Sequence, residues 1–187
     1  MTEARNADPR FADSPGKGSA LLWIGLALAF VASFLAIRYS APAKPGGGVD
    51  YSWTPTDLVG KPTPLSSFKG RPIFLNIWAT WCGPCTREMP SIARLASNPS
   101  LVGKVDFICV ATDESIETVR RFVAEAKLPM TILHDPGRPP PTFRTEGIPA
   151  TFLIAPDGRI VRVAVGSEDW DRPEVVKLLQ ELAAEVK

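Results

Sequence analysis

Trp81-Cys82-Gly83-Pro84-Cys85 places two thiols three residues apart. An apolar run over residues 72–79 leads into the pair, and a helix-patterned segment follows it. A strand that stops at such a pair and turns into a helix sets the first sulfur at the helix N-terminus, where unpaired amide N–H groups and the dipole favour an anion. That anion is a thiolate, the form of cysteine that attacks disulfides, and the second thiol is placed to displace whatever the first has captured. A structural metal half-site is the competing chemistry. Two thiols supply only half of a tetrahedral zinc shell, and no second Cys pair or His pair completes it. The reading therefore calls for no metal and no cofactor.

The helix that carries the second thiol also carries a carboxylate. Wound at about 100° per residue from Cys85, the apolar Met89, Ile92, Leu95 and Ala96 share one stripe, Arg87 and Arg94 lie opposite, and Glu88 falls between Leu95 and Ile92. A carboxylate inside that stripe, one turn from Cys85, loses solvation and its pKa rises, which suits a proton acceptor for a thiol. A solvated Glu88 on an exposed stripe edge is the plainer reading, and helical geometry alone leaves both open. Pro90 removes one backbone bond to Thr86 and is expected to bend the helix.

The run Phe74-Leu75-Asn76-Ile77-Trp78-Ala79-Thr80-Trp81-Cys82-Gly83-Pro84-Cys85-Thr86-Arg87-Glu88-Met89-Pro90, with Ile148-Pro149 some sixty residues later ahead of another strand, resembles the thioredoxin superfamily. In detail it is similar to the TlpA/ResA branch, the membrane-anchored bacterial thiol-disulfide oxidoreductases. The resemblance covers residues 52–186. It implies a Cys82–Cys85 redox-active disulfide, a functional Glu88, and a cis Ile148–Pro149 bond lying against the first sulfur. That loop would leave the Ile148 backbone free to pair with a substrate chain and would keep metals from the two thiols. Trp81, Gly83 and Pro84 would border the sulfurs and complete the substrate-binding edge with Ile148 and Pro149. Many thioredoxins carry an Asp six residues before the first Cys; Asn76 stands there, which suggests that proton handling has moved to Glu88. Gly-Pro between the cysteines matches the reducing motif, so reduction of a disulfide-bearing protein is favoured over oxidation, with electrons drawn from an integral-membrane donor.

These groups need a scaffold, and the chain supplies an α/β pattern. Residues 73–79 are nearly all apolar, as in a central strand covered on both faces. Residues 104–111 and 130–133 read as further strands, and residues 151–155 and 159–165 flank Pro156-Asp157-Gly158 as a hairpin. Ile116, Val119, Phe122, Val123 and Ala126 repeat as a helix with Asp113 or Ser115 as N-cap. Asp171-Arg172-Pro173-Glu174 opens a last helix with Val175, Leu178, Leu179, Leu182 and Val186 on one face. Residues 51–68, broken by Gly60, Pro62 and Pro64, suit a small N-terminal hairpin and a helical turn. The order predicts a thioredoxin fold, a mixed central sheet with helices on both faces.

Outside that domain the composition changes. Of 187 residues 45% are hydrophobic and the net charge is +1, with no basic stripe to suit a nucleic acid. Residues 1–18 are polar and read as a disordered cytoplasmic tail. Residues 20–37 carry no charge over a helical length of about 27 Å, which can cross a bilayer, so residues 19–38 read as a transmembrane anchor. Ala41-Pro42-Ala43 offers a signal cleavage site, but the apolar run is longer than a signal core, and Trp23 and Tyr39 sit where interfacial aromatics belong, so an uncleaved anchor is favoured. Residues 39–50, rich in Pro and Gly, read as a linker, and residues 51–187 as the folded domain. Lys17 against Arg38 and Lys44 barely orients the anchor; the resemblance puts the thiol domain outside the bacterial inner membrane, on the periplasmic side.

Two other residue types are assigned plainer roles. Cys109, amid Phe107, Ile108 and Val110, reads as a buried packing thiol, and His134 as a loop residue. A thiol peroxidase of related fold needs Thr or Ser three residues before the reactive Cys, where this chain has Ala79. A tethered copper-delivery protein would need Cys-x-x-x-Cys and a distal His, and the spacing is one residue short.

Overall fold

The computed structural model describes residues 23–29 and 46–186. The chain divides into two units, Met1–Ser40 and Ala41–Lys187. In the first, residues 23–29 are helical; the rest of the apolar run, the tail of residues 1–18 and residues 39–45 of the linker lie outside the described residues. No helix among the described residues is long and apolar enough to cross a membrane.

In the second unit the organising strand is β2 (Ile73–Trp78), buried at every position. Its neighbours are β3 (Asp106–Ala111), parallel, and β5 (Ala150–Ile154), antiparallel. Outside β3 run β4 (Thr131–His134), parallel, and then the two-residue β1 (Thr56–Asp57), antiparallel; β6 (Ile160–Val165) closes the other edge. The six-stranded sheet thus has the order β1-β4-β3-β2-β5-β6. Helix α1 (Gly83–Ala96) joins β2 to β3, α2 (Ile116–Ala126) joins β3 to β4, and α3 (Pro173–Ala184) ends the chain.

This is the thioredoxin-type mixed sheet, with one correction to its layering. The buried side chains of all three helices form one cluster with Phe74, Trp78, Phe107 and Leu153. The opposite face, with Ile73, Leu75, Ile77, Ile108 and Val110, is covered by Trp53, Leu65 and Phe143 from loops and 3-10 turns. The physical reason is handedness: β2-α1-β3 and β3-α2-β4 are successive parallel crossovers stepping in the same direction, and right-handed connections then deliver both helices to one side. The period-2 alternation along β2 feeds both layers, each fully buried Leu or Ile contributing about 1.5–3 kcal/mol.

Several local expectations shift. The N-terminal hairpin is rudimentary: β1 pairs with β4, and its return limb contributes a single bridge, Thr56 to Pro62. Residues 46–49 of the linker are tied to the turn between β5 and β6, with Gly46 N–H donating to Ile160 O at 2.8 Å and Val49 N–H to Gly158 O at 3.0 Å. Gly158 sits at φ 89°, and an added Cβ there would meet the Tyr51 ring at 3.1 Å. Of the two N-cap candidates for α2, Ser115 takes the position, though without a side-chain bond. Within the Asp171-Arg172-Pro173-Glu174 opening of α3, Arg172 holds the cap position without a side-chain bond, and the Asp171 carboxylate is taken by Arg94. His134 is not in a loop but ends β4, buried.

Candidate active site

The motif enters where β2 ends, and the turn between is held by its neighbours. Asp113 accepts from Thr80 N–H at 3.0 Å and from the Thr80 hydroxyl. The Asp113 carbonyl in turn lies 2.7 Å from His134 Nε2. A carbonyl only accepts, so the His134 proton sits on Nε2. His134 on β4, through Asp113 at the β3 exit, therefore fixes Thr80 in the segment that aims the thiols. Nothing in the spacing of a lone His and a lone Asp announces this.

Cys82 is the N-cap of α1, extended at φ −84° and ψ 101°, and its sulfur accepts from Cys85 N–H at 3.3 Å. Pro84 sits in the first turn, where its missing N–H costs nothing. The sulfur thus occupies the helix-terminal position at which a negative charge is favoured. Cys82 and Cys85 are joined as a disulfide. Cys82 keeps 6% of its surface exposed and Cys85 none, so the bond is reached edge-on through Cys82. That edge is narrower than an open thiol. Trp81, 71% exposed, stands beside it, with Gly83 and Pro84 also at the surface. The Ile148–Pro149 bond is cis, and the Ile148 carbonyl oxygen lies 3.8 Å from Cys82 Sγ.

Glu88 is 2% exposed, so the solvated alternative is excluded. Burial raises its pKa, and hydrogen bonds from Trp170, Glu168 and Asn76 oppose the rise only in part. Trp170 Nε1–H donates to Oε2 at 3.0 Å, Glu168 N–H to Oε2 at 3.1 Å, and Asn76 Nδ2–H to Oε1 at 2.9 Å. Oε2 is saturated by two donors, while Oε1 holds one and retains a lone pair. Asn76 also donates to Thr151 Oγ1 at 2.9 Å, and its own Oδ1 is buried without a partner. Thr151, Asn76 and Cys109 stand side by side across β5, β2 and β3. Burial and then the Glu88 charge push the Cys109 thiol far up, so it stays protonated.

The loop ahead of α3 supplies two of the Glu88 donors and is bolted to α1. Trp170 N–H donates to Ser91 Oγ at 3.1 Å, and Asp171 pairs with Arg94. Glu168 is held by Arg162 at 2.7 Å and Arg172 at 2.9 Å. Trp170, Glu168 and Thr151 are the site residues that sequence reasoning missed, and no local spacing could have found them. Helix α1 runs unbroken through Pro90.

The sequence matches the Redoxin family over residues 52–179. It is 35% identical over 120 residues to the thiol-disulfide oxidoreductase ResA of Bacillus cereus, covering 64% of this chain and 69% of that protein. To ResA of Halalkalibacterium halodurans it is 34% identical over 148 residues, 79% of this chain and 82% of that one. Among solved structures it is similar to a secreted Mycobacterium tuberculosis disulfide oxidoreductase, with a TM-score of 0.55 and 25% identity over 72% of this chain and 96% of that one. A thiol:disulfide interchange protein of the thioredoxin family from Chlorobium tepidum shares the fold, with a TM-score of 0.58 and 24% identity over 75% and 99% of the two chains.

Proposed function

Because the chain belongs to the Redoxin family, as a ResA-like thiol-disulfide oxidoreductase of the thioredoxin superfamily, we propose that it reduces disulfides in extracytoplasmic proteins from a membrane tether, with Cys82 as nucleophile and Cys85 as resolving thiol. The observation that carries the assignment of roles is the asymmetry of the pair: Cys82 caps α1 and reaches the surface beside the Ile148 carbonyl, whereas Cys85 is sealed behind it.

In the dithiol form, the Cys82 thiolate attacks one sulfur of the substrate disulfide. A Cys82–substrate bond forms, the substrate S–S bond breaks, and the departing substrate thiolate takes a proton from water. Cys85 then gives its proton to Oε1 of Glu88, the carboxylate oxygen with a free lone pair, and attacks Cys82 Sγ. The Cys82–Cys85 disulfide forms, and the second substrate sulfur leaves as a thiolate that is protonated in turn. Two electrons have moved from the enzyme dithiol to the substrate. An integral-membrane dithiol donor returns them, and the Glu88 proton goes back to Cys85 as the internal bond opens.

The tether is residues 20–37, uncleaved, with the N-terminus cytoplasmic and the thiol domain periplasmic. Its apolar length and flanking aromatics support this. Substrates of the cytochrome c maturation or metal-site assembly type fit a tethered reductase. The exposed Trp81, Gly83 and Pro84, with Ile148 and Pro149, form the edge on which the substrate strand lies.

Replacing Cys85 by Ala tests the roles and identifies the substrate together. The variant should accumulate a mixed disulfide on Cys82 that thiol reductants release, and the reciprocal Cys82→Ala variant should trap nothing. Equal trapping by both variants would remove the asymmetry on which the assignment rests.

A further inference from the structure

A cavity of about 400 Å³ opens beside the Ile148–Pro149 loop. Its lining combines the apolar Ile77 and Phe143, both buried, and the half-buried Ile148 with two arginines, Arg138 and Arg144. No carboxylate lines it. Arg144 is held in place through Nε, which donates to Pro139 O at 2.9 Å, and among the described residues its terminal nitrogens have no partner. Arg138 is exposed and, among the described residues, makes no hydrogen bond or ion pair. Asp135, the acid nearest in sequence, is committed elsewhere: it accepts from Trp53 Nε1–H at 2.6 Å and Gly137 N–H at 2.8 Å.

We propose that this cavity receives an acidic side chain of the substrate protein, two to four residues from the cysteine that Cys82 attacks. The inference rests on the reductase reading and adds a substrate class to it. Ile148 serves both places: its carbonyl lies 3.8 Å from Cys82 Sγ, and the same residue lines the cavity. A substrate strand crossing the sulfur must therefore run past the cavity, and at about 3.3 Å per residue a side chain a few positions from the cysteine hangs over it. The methylenes of a Glu meet the apolar lining while its carboxylate meets two arginines, whose planar donors suit a carboxylate. The neighbouring part of the surface differs in sign. A second cavity, beside Trp81, shares Thr112 and Pro136 with the first and is bordered by Glu114 and by Asp113, which is engaged by Thr80. An acid is repelled by Glu114 and drawn toward the arginines, so the charge pattern selects the first cavity over the second.

The test uses the full-length chain in detergent, reduced beforehand, and peptides whose single cysteine carries a fluorescent thiol in mixed disulfide. The peptides are identical except for Glu, Gln or Lys three residues before or after the cysteine. The wild type should reduce the better-placed Glu peptide about three- to tenfold faster in kcat/KM than its Lys counterpart, and salt should narrow the gap. Arg138→Glu, at a side chain without structural bonds, should reverse the order at unchanged Tm, and the double variant R138Q/R144Q should flatten it. Equal rates for Glu and Lys peptides with the wild type, or a preference that survives in the double variant, overturn the acid-recognition inference alone. Failure to reduce any peptide overturns the reductase reading and this inference with it.

Discussion

Trp170 donates its indole N–H to Oε2 of Glu88 at 3.0 Å across 82 positions of sequence. The indole ring also packs edge-on against Phe74 of β2, and Arg162 lies over its face, so its donor is aimed by contacts on both sides. Trp170 is thus a positioning residue that acts on the thiols through Glu88.

Removing that donor while keeping an aromatic ring moves Glu88 in a known direction. A hydrogen bond to the charged form favours ionisation, so Trp170→Phe raises the Glu88 pKa beyond the rise that burial already causes. The Glu88-dependent limb of the pH–rate profile for protein-disulfide reduction should move to higher pH, with an NMR titration of the Glu88 carboxyl following it. A purely structural Trp170 would lower Tm without moving the limb. Loss of a bond to a charged group should also cost about 1.5–3 kcal/mol where Glu88 is ionised.

Glu88→Gln should slow disulfide exchange and yet gain in relative stability as pH rises. The folded Glu88 pKa lies above its unfolded value. The folded chain therefore binds this proton more tightly, an advantage present in full below the unfolded carboxyl range and lost as pH climbs through the folded value. Glutamine carries no charge and skips that loss. Asn76 accommodates either group: with its amide turned over, the Oδ1 that lacks a partner beside glutamate accepts from the glutamine N–H and from the Thr151 hydroxyl. Tm differences between variant and wild type, measured from about pH 4 to pH 8, should shift steadily in the variant's favour. A constant difference would mean that Glu88 does not titrate in that range.

What the sequence made legible was local. Cys82 and Cys85 and the strand–motif–helix order follow from spacings within one turn or one strand, and the helix periods placed α1, α2 and α3 to within a few residues, whereas the same spacing left the burial of Glu88 open. What it hid was any partner chosen at long range. Asp171 belongs by sequence to the opening of α3, but folding brings Arg94 to it from 77 positions away. His134 looked like a loop residue because Asp135-Pro136 follows it, and the Asp113 carbonyl that gives it a buried role comes from another strand's exit. The one-sided layering of helices is a property of strand order, which no single periodicity contains.

Asp113→Ala should uncouple the motif from its support. Thr80 N–H and hydroxyl would lose their acceptor in a half-buried turn, at a cost of about 1–3 kcal/mol. Because the turn leads directly to Cys82, kcat for disulfide reduction should fall in the full-length protein, with Trp81 fluorescence changing alongside. Asp113→Asn keeps one acceptor oxygen and should recover most of the rate. If the Asn variant were as slow as the Ala variant, the carboxylate charge, rather than its grip on Thr80, would matter.

Cys109 offers the contrast to the reactive pair. It shares the sheet face and the strand row of Asn76, beneath Glu88, but has neither a helix terminus nor a nearby cation to stabilise a thiolate. Burial and the Glu88 carboxylate both drive its pKa up. In the reduced native protein at neutral pH, an alkylating reagent should therefore modify Cys82 first and leave Cys109 untouched until the chain unfolds. Cys109→Ala should leave reduction of a protein disulfide at the wild-type rate while lowering stability by about 1–2 kcal/mol through the lost packing. Native-state modification of Cys109 at a rate comparable with Cys82 would show that the sheet opens there, and would require the strand row beneath Glu88 to be far less rigid than its hydrogen bonds to Asn76 and Thr151 imply.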